Sequence, residues 1–204
     1  MLADIFAFIQ SIAAAGAVNG LAQVVLKLTV PGVPDLYQGT DYWDLSLVDP
    51  DNRRPIDFEL RRKSLSSLDA AEALAHWRDG RIKQAIVARL LGARRAAPEL
   101  FARGDYRPVP VEGERAQHIV AFLRTHGDSR ILVVVPRLPQ ELLRSHDALE
   151  FDPAAWQSTF LVLPDEADWH DVMEDRMLRP TKQKLAMRDL FGRCPVAIFS
   201  TKRS

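Results

Sequence analysis

Cysteine is nearly absent from this chain of 204 residues. The single thiol, Cys194, excludes an intramolecular disulfide and a multi-thiolate metal cluster, and it suits a reducing, cytoplasmic setting. Net charge is absent as well: 27 Lys and Arg balance 27 Asp and Glu. That balance argues against a nucleic-acid binder that works by neutralising phosphates, and against a polybasic membrane patch. No two of the histidines His76, His118, His126, His146 and His170 stand three or four positions apart, so a zincin-type helix is missing. Internal repeats and low-complexity tracts are missing too. What remains is 47% apolar and 26% charged, which excludes disorder as the main state and allows one or two folded domains.

The longest weakly charged run lies near the start. Residues 5–30 (IFAFIQSIAAAGAVNGLAQVVLKLTV) carry one charge, Lys27, and are long enough to cross a bilayer. Gln10, Asn19, Gln23 and Lys27 interrupt the run, and its start carries Asp4 where a signal peptide would carry a cation, so buried soluble helices are the better reading. Gly16 and the Asn19-Gly20 pair divide it into two expected helices. Ile5, Phe8, Ile9 and Ile12 mark the apolar face of the first, and Leu21, Val24, Val25 and Leu28 that of the second. Alanines on the other sides point to burial on most faces.

Pro31 ends the second helix. Val33–Tyr37 then reads as one short buried strand, followed by a long loop over residues 38–56. Asp57 is expected to cap a helix through about residue 76, and Asp79 another with the stripe Ile82, Ile86, Val87, Leu90 and Leu91. Arg94 and Arg95 suit its C-terminal end, Pro98 limits it, and PELFARG forms one more helical turn closed by Gly104.

After residue 104 the period changes. Segments 106–111, 117–124, 130–136, 158–163, 168–172 and 195–200 are short and rich in Val, Ile, Leu or Phe, and HGDS is the turn of a hairpin. The chain therefore divides into a mostly helical part, 1–104, and an all-β antiparallel part, 105–204, shaped like a sandwich. A single strand at 33–37 with only helices beside it would leave its backbone groups unpaired, so the sequence reads as the end of a larger α/β protein.

PGVPDLYQGTDYWDLSLVDPDNRRPIDF, residues 31–58, resembles the last barrel strand and following loop of the α-amylase superfamily, and within it the maltooligosyl trehalose synthase family. The superfamily pattern Gly-x-Pro-x-x-Tyr-x-Gly-x-Glu is met by Gly32, Pro34, Tyr37 and Gly39, with Asp41 in the Glu position. That departure keeps the carboxylate and shortens its reach. Residues 47–57, 88–113 and 130–138 are similar to synthase segments as well. The resemblance covers most of this chain but only the last part of a much longer family chain.

The resemblance implies an α+β fragment: the terminal helices and last strand of a (β/α)8 barrel, followed by an all-β antiparallel C-terminal domain. It implies an isomerase, an intramolecular glucosyl transferase of trehalose biosynthesis, which converts a reducing-end α-1,4 bond of a maltooligosaccharide into an α,α-1,1 bond. Such chemistry needs a carboxylate nucleophile and a carboxylic acid, with no cofactor and no metal. The family's catalytic segments have no match here and would lie before Met1, so no residue is assigned as catalytic and the fragment is expected to be inactive. The alternative is a non-catalytic carbohydrate-binding or scaffold protein.

The residues themselves agree. Asp49 and Asp51 flank Pro50, but Arg53 and Arg54 beside them would hold both ionised, the wrong setting for a general acid. The loop can still bind sugar hydroxyls and faces. Candidate substrate-binding residues are Tyr37, Asp41, Trp43, Asp49, Asp51, Asn52, Arg53 and Arg54. Each has a structural alternative: Tyr37 as a core phenol, Trp43 as loop cover, the four charged residues as an ion-pair knot, Asn52 as a turn residue. Trp77, Trp156 and Trp169 share no common face and read as core. Barrel helices without their barrel should also self-associate. At about 25 cal/mol per Å², roughly 400 Å² of bare apolar surface is about 10 kcal/mol, comparable with a whole domain's stability.

Overall fold

A computed structural model describes residues 1–46, 54–67, 69–174 and 176–201. Helix α1 (Leu2–Thr29) runs unbroken for 28 residues, where two helices were expected. A helical glycine costs only about 1 kcal/mol relative to alanine. The apolar contacts on either side of Gly16 and Gly20 outweigh that: Val18, Leu21, Val25 and Leu28 are fully buried. By length and composition α1 could cross a membrane, yet its second half is packed inside the protein. Its first half is the reverse of what the periodicity suggested. Ile5, Phe8, Ile9 and Ile12 are 44–64% exposed, and burial begins only at Ala14.

Val30 is extended before Pro31, which ends the helix as expected. Residues 33–37 form no strand pairing among the described residues, and Val33 is 97% exposed. The expected buried strand is therefore not a strand. A β-strand exists only through a neighbour's hydrogen bonds, and among the described residues no strand flanks this segment.

Helix α2 (Phe58–Ser66) starts where Asp57 Oδ1 accepts from the Leu60 N–H at 2.8 Å. It stops ten residues short of the expected end. Asp69 accepts from the Glu72 N–H at 2.9 Å and caps a second helix, α3 (Ala70–Ala75). A side-chain carboxylate that satisfies free helix N–H groups makes a new start there more favourable than continuation. A single 3-10 turn at Trp77–Asp79 leads to Gly80, at φ 87°, and then to α4 (Arg81–Ala96). Asp79 does accept from the Arg81 N–H at 2.9 Å, but Gly80 holds the cap position. The stripe Ile82, Ile86, Val87 and Leu90 is buried, whereas Leu91 is 42% exposed. Helix α5 (Pro98–Arg103) ends at Gly104, whose place a Cβ could not share: it would stand 2.3 Å from the Leu100 carbonyl oxygen.

The rest is antiparallel sheet. The strands are β1 (Asp105–Pro108), β2 (Val111–Glu112), β3 (Ile119–His126), β4 (Ser129–Pro136), β5 (Phe160–Val162), β6 (Trp169–Asp171), β7 (Met177–Leu178), β8 (Lys184–Ala186) and β9 (Ala197–Ser200), with the short helix α6 (Met187–Leu190) before the last. One sheet has the order β1-β3-β4-β9-β6-β7 and the other β2-β5-β8. The expected hairpin is β3–β4, in register from Ile119↔Pro136 to His126↔Ser129 around Gly127 and Asp128. Helix α1 packs on α4 and on β4, so one continuous core joins Leu21, Leu28, Ile86 and Leu90 to Phe122, Leu132 and Val133.

Arg124, in the middle of β3, is 1% exposed and faces that junction. Among the described residues it has no carboxylate partner. Its guanidinium donates to the carbonyls of Thr29 (2.8 Å), Leu100 (3.2 Å), Phe101 (3.1 Å), Gly104 (2.9 Å) and Asp105 (3.0 Å). Four of these carbonyls lie at the C-terminal ends of α1 and α5, where intrahelical donors run out and the helix dipole is negative, and the fifth, of Asp105, opens β1. Burial, with Arg94 nearby, pushes the Arg124 pKa down, but the group stays charged in this ring of oxygens. Arg94 adds a 2.7 Å bond to the Leu28 carbonyl.

Candidate functional site

The segment after Tyr37 is held to the helices by three anchors. The first is Asp41. Its Oδ1 accepts from Arg61 Nε on α2 at 3.0 Å, and its Oδ2 accepts from Gln84 Nε2 on α4, also at 3.0 Å. The same Arg61 donates to the Gly39 carbonyl at 3.2 Å and lies over the Tyr42 ring at 4.7 Å. Gln84 is 5% exposed, and its Oε1 has no hydrogen-bond partner among the described residues.

The second anchor is Trp43. Its indole N–H donates to the Trp77 carbonyl at 2.6 Å, and its ring rests on Gly20 of α1, where an added Cβ would lie 3.4 Å from the ring. The third is Lys83, which donates to the Tyr42 carbonyl at 3.0 Å with Nζ 5.7 Å from the Trp43 ring centre. Burial, and Lys27 nearby, lower its pKa. Gly80 completes the fit: a Cβ there would approach the Trp43 backbone nitrogen to 2.9 Å.

These anchors fold residues 38–46 around a cavity of about 410 Å³, lined by Gln38, Trp43, Asp44, Ser46, Arg54, Ile56 and Arg61 among others. Asp44 Oδ1 accepts from the Ser46 N–H at 3.0 Å and from Ser46 Oγ at 2.5 Å, and these bonds hold its carboxyl below its usual value. The lining thus offers an indole, an amide, two guanidinium groups and an ionised carboxylate. This is the chemistry that recognises the hydroxyls and flat faces of sugars, without a carboxyl raised into the range of a general acid.

Among the expected site residues, the structure brings Trp43 and Arg54 to this cavity and places Asp41 behind it, in the anchor to α2 and α4. Tyr37 stands apart. It is 46% exposed, so it is no core phenol, and its backbone carbonyl accepts from Thr40 N and Thr40 Oγ1. Asp49, Asp51, Asn52 and Arg53 lie outside the described residues. Arg61, Lys83 and Gln84 escaped the sequence reading. Arg61 looked like an ordinary charge of a helix, and nothing local connects positions 41, 61 and 84.

Other chemistry-bearing groups are committed to the fold. Trp77, Trp156 and Trp169 are buried, as expected of core residues. Burial pushes the Asp171 carboxyl up, but both its oxygens are engaged: Oδ1 by the Met173 and Glu174 N–H groups at 2.7 and 3.2 Å, Oδ2 by Arg176 at 2.7 Å. The buried Cys194 thiol is pushed up to about 12, so it is no nucleophile. Among the described residues no group of three His, Cys, Asp or Glu side chains could hold a metal ion.

No family model matches the chain. A protein of Mycobacterium tuberculosis (strain H37Rv) named as a maltooligosyl trehalose synthase is 43% identical over 155 residues, 76% of this chain and 17% of that protein. The solved structure of maltooligosyltrehalose synthase from Arthrobacter ramosus superposes with a TM-score of 0.70 at 38% identity, covering 92% of this chain and 22% of that one. An α-amylase from Geobacillus thermoleovorans, solved with acarbose, shares the fold at 16% identity with a TM-score of 0.56. The chain spans about a fifth of the length of these synthases. On sequence and fold together, it belongs to the maltooligosyl trehalose synthase family and corresponds to part of a member's length.

Proposed function

We propose that this chain is the C-terminal part of a synthase-like enzyme. Residues 1–104 form the end of its (β/α)8 barrel and residues 105–204 the β domain that braces it. In that setting the loop after Tyr37 is one wall of a cleft that holds a maltooligosaccharide. The whole enzyme moves a reducing-end glucosyl unit from an α-1,4 to an α,α-1,1 bond in the cytoplasm. The observation that carries the reading is the anchored loop, with Trp43, Asp44 and Arg54 turned to one cavity in a chain of this family.

In this reading Trp43 offers a sugar-stacking face, and Arg54 and Asp44 hydrogen-bond hydroxyls. Tyr37, Asp49, Asp51, Asn52 and Arg53 are further candidates for contact with the sugar. Asp41 works through position: its bonds to Arg61 and Gln84 set the angle at which the loop leaves the helices. The bond-breaking carboxylates are supplied by other parts of the enzyme, so the chain alone binds weakly and does not turn over.

Incubating the purified chain with maltopentaose and following reducing ends tests this reading. Reducing ends should persist, while millimolar sugar changes tryptophan fluorescence in the chain and not in Trp43→Ala. Loss of reducing ends overturns the inactive reading, and a fluorescence response unchanged in Trp43→Ala overturns the assignment of the wall.

A further inference from the structure

Between β4 and β5 the chain makes an excursion, residues 142–151, that is rooted in the β domain at both ends. Leu142 and Leu149 are buried in the core, Leu143 pairs with Phe151 across an antiparallel bridge, and the Arg144 N–H donates to the Glu150 carbonyl at 2.9 Å. Ser145 Oγ shapes the tip by accepting from the N–H groups of Asp147 and Ala148 at 3.3 and 3.2 Å. The tip meets the helical part of the molecule at one turn. The Asp147 carbonyl accepts from the Trp77 indole N–H at 2.9 Å, and Asp147 Oδ1 accepts from Arg78 at 3.2 Å. The Arg78 guanidinium in turn lies 4.3 Å over the Trp77 ring.

Trp77 passes this contact on. Its own carbonyl accepts twice, from the Gly80 N–H at 3.2 Å, which closes the 3-10 turn, and from the Trp43 indole N–H at 2.6 Å. Ring and carbonyl of one residue therefore join the β-domain tip to the indole that lines the cavity after Tyr37, across 70 and 34 positions of sequence. We infer that Trp77 is a positioning residue of the sugar wall, through which the β domain sets the orientation of Trp43, resting on the proposal that Trp43 is a sugar-stacking face. Stacking needs the ring to present its flat side at a fixed angle. The contacts of Trp43 with Gly20 and Lys83 bear on its ring and are weakly directional, whereas the indole has a single N–H and its bond fixes which way the ring is turned. That bond ends on the Trp77 carbonyl, so the angle follows the turn, and the turn is held from its far side by the tip.

Fluorine NMR on the full chain labelled with fluorotryptophan tests the inference. The chain has four tryptophans and so four signals, and Trp43→Phe assigns the one that matters. Trp77→Phe keeps an aromatic ring in the core and deletes the donor to Asp147. Ser145→Ala, at an exposed position, loosens the tip from the β-domain side and alters no ring. Trp156→Phe is the control: the same exchange at a residue 1% exposed in the β domain, whose indole N–H has no hydrogen-bond partner among the described residues. Trp77→Phe should shift or broaden the Trp43 signal and weaken maltopentaose binding, followed on that signal, by about fivefold. Ser145→Ala should act in the same direction to a smaller extent, and Trp156→Phe should leave both readouts alone. A Trp43 signal unmoved in Trp77→Phe or in Ser145→Ala overturns the inference. So does an unchanged affinity in Trp77→Phe, or an equal response in Trp156→Phe, which would reduce Trp77 to packing. Failure of the sugar wall itself is seen before any of these variants, as a Trp43 signal of the unsubstituted chain that ignores millimolar sugar, and it takes the inference with it.

Discussion

The two halves of α1 are both mainly apolar and have opposite fates. From Ala14 to Thr29 the helix lies on α4 and β4 in the centre of the core, while from Leu2 to Ile12 it leaves its apolar side bare. Periodicity finds the apolar side of a helix. It carries no information on whether the folded chain supplies a surface to cover it. Here the core ends where the helices and sheets end, and the first half of α1 extends past it.

Substitutions can sharpen that contrast. Leu21→Ala, in the buried half, should lower the unfolding free energy by about 3–5 kcal/mol in urea titrations, because it leaves a cavity among groups that cannot collapse. Arg124→Leu should cost about 3 kcal/mol by the same measurement, since it strands carbonyls at the ends of α1 and α5. Asp41→Asn should cost about 1–2 kcal/mol and increase proteolytic cutting in the loop after Tyr37. Phe8→Ser, in the bare half, should stay within about 0.5 kcal/mol at submicromolar chain concentration. Equal effects for Leu21→Ala and Phe8→Ser would break the distinction between the halves.

Much of the fold could be read from the sequence because it is written locally. Asp57, Pro98 and Gly104 mark helix ends, HGDS marks the hairpin, and the apolar runs on either side of it in residues 117–136 mark β3 and β4. The strands β7 and β8 were not legible, since two or three residues carry no period. The division between α2 and α3 depends on the single capping bond of Asp69. Val33–Tyr37 has strand composition without a partner, and composition cannot supply hydrogen bonds. In the site, Trp43 and Arg54 were legible because aromatics and cations in a long loop are conspicuous. Arg61, Lys83 and Gln84 were not, because their importance comes from tertiary contact with a loop more than twenty positions away in the cases of Lys83 and Gln84.

The ring of carbonyls around Arg124 has a consequence for how the molecule comes apart. Its oxygens come from the C-terminal end of α1, from α5 and from the start of β1, while the side chain itself stems from β3. Pulling the helices off the sheet would therefore expose a bare cation and several orphaned acceptors in one step, so neither part has a cheap way to loosen first. Heating should give a single sigmoid, with the far-ultraviolet signal of the helices and the near-ultraviolet signal of the core tryptophans vanishing at the same temperature.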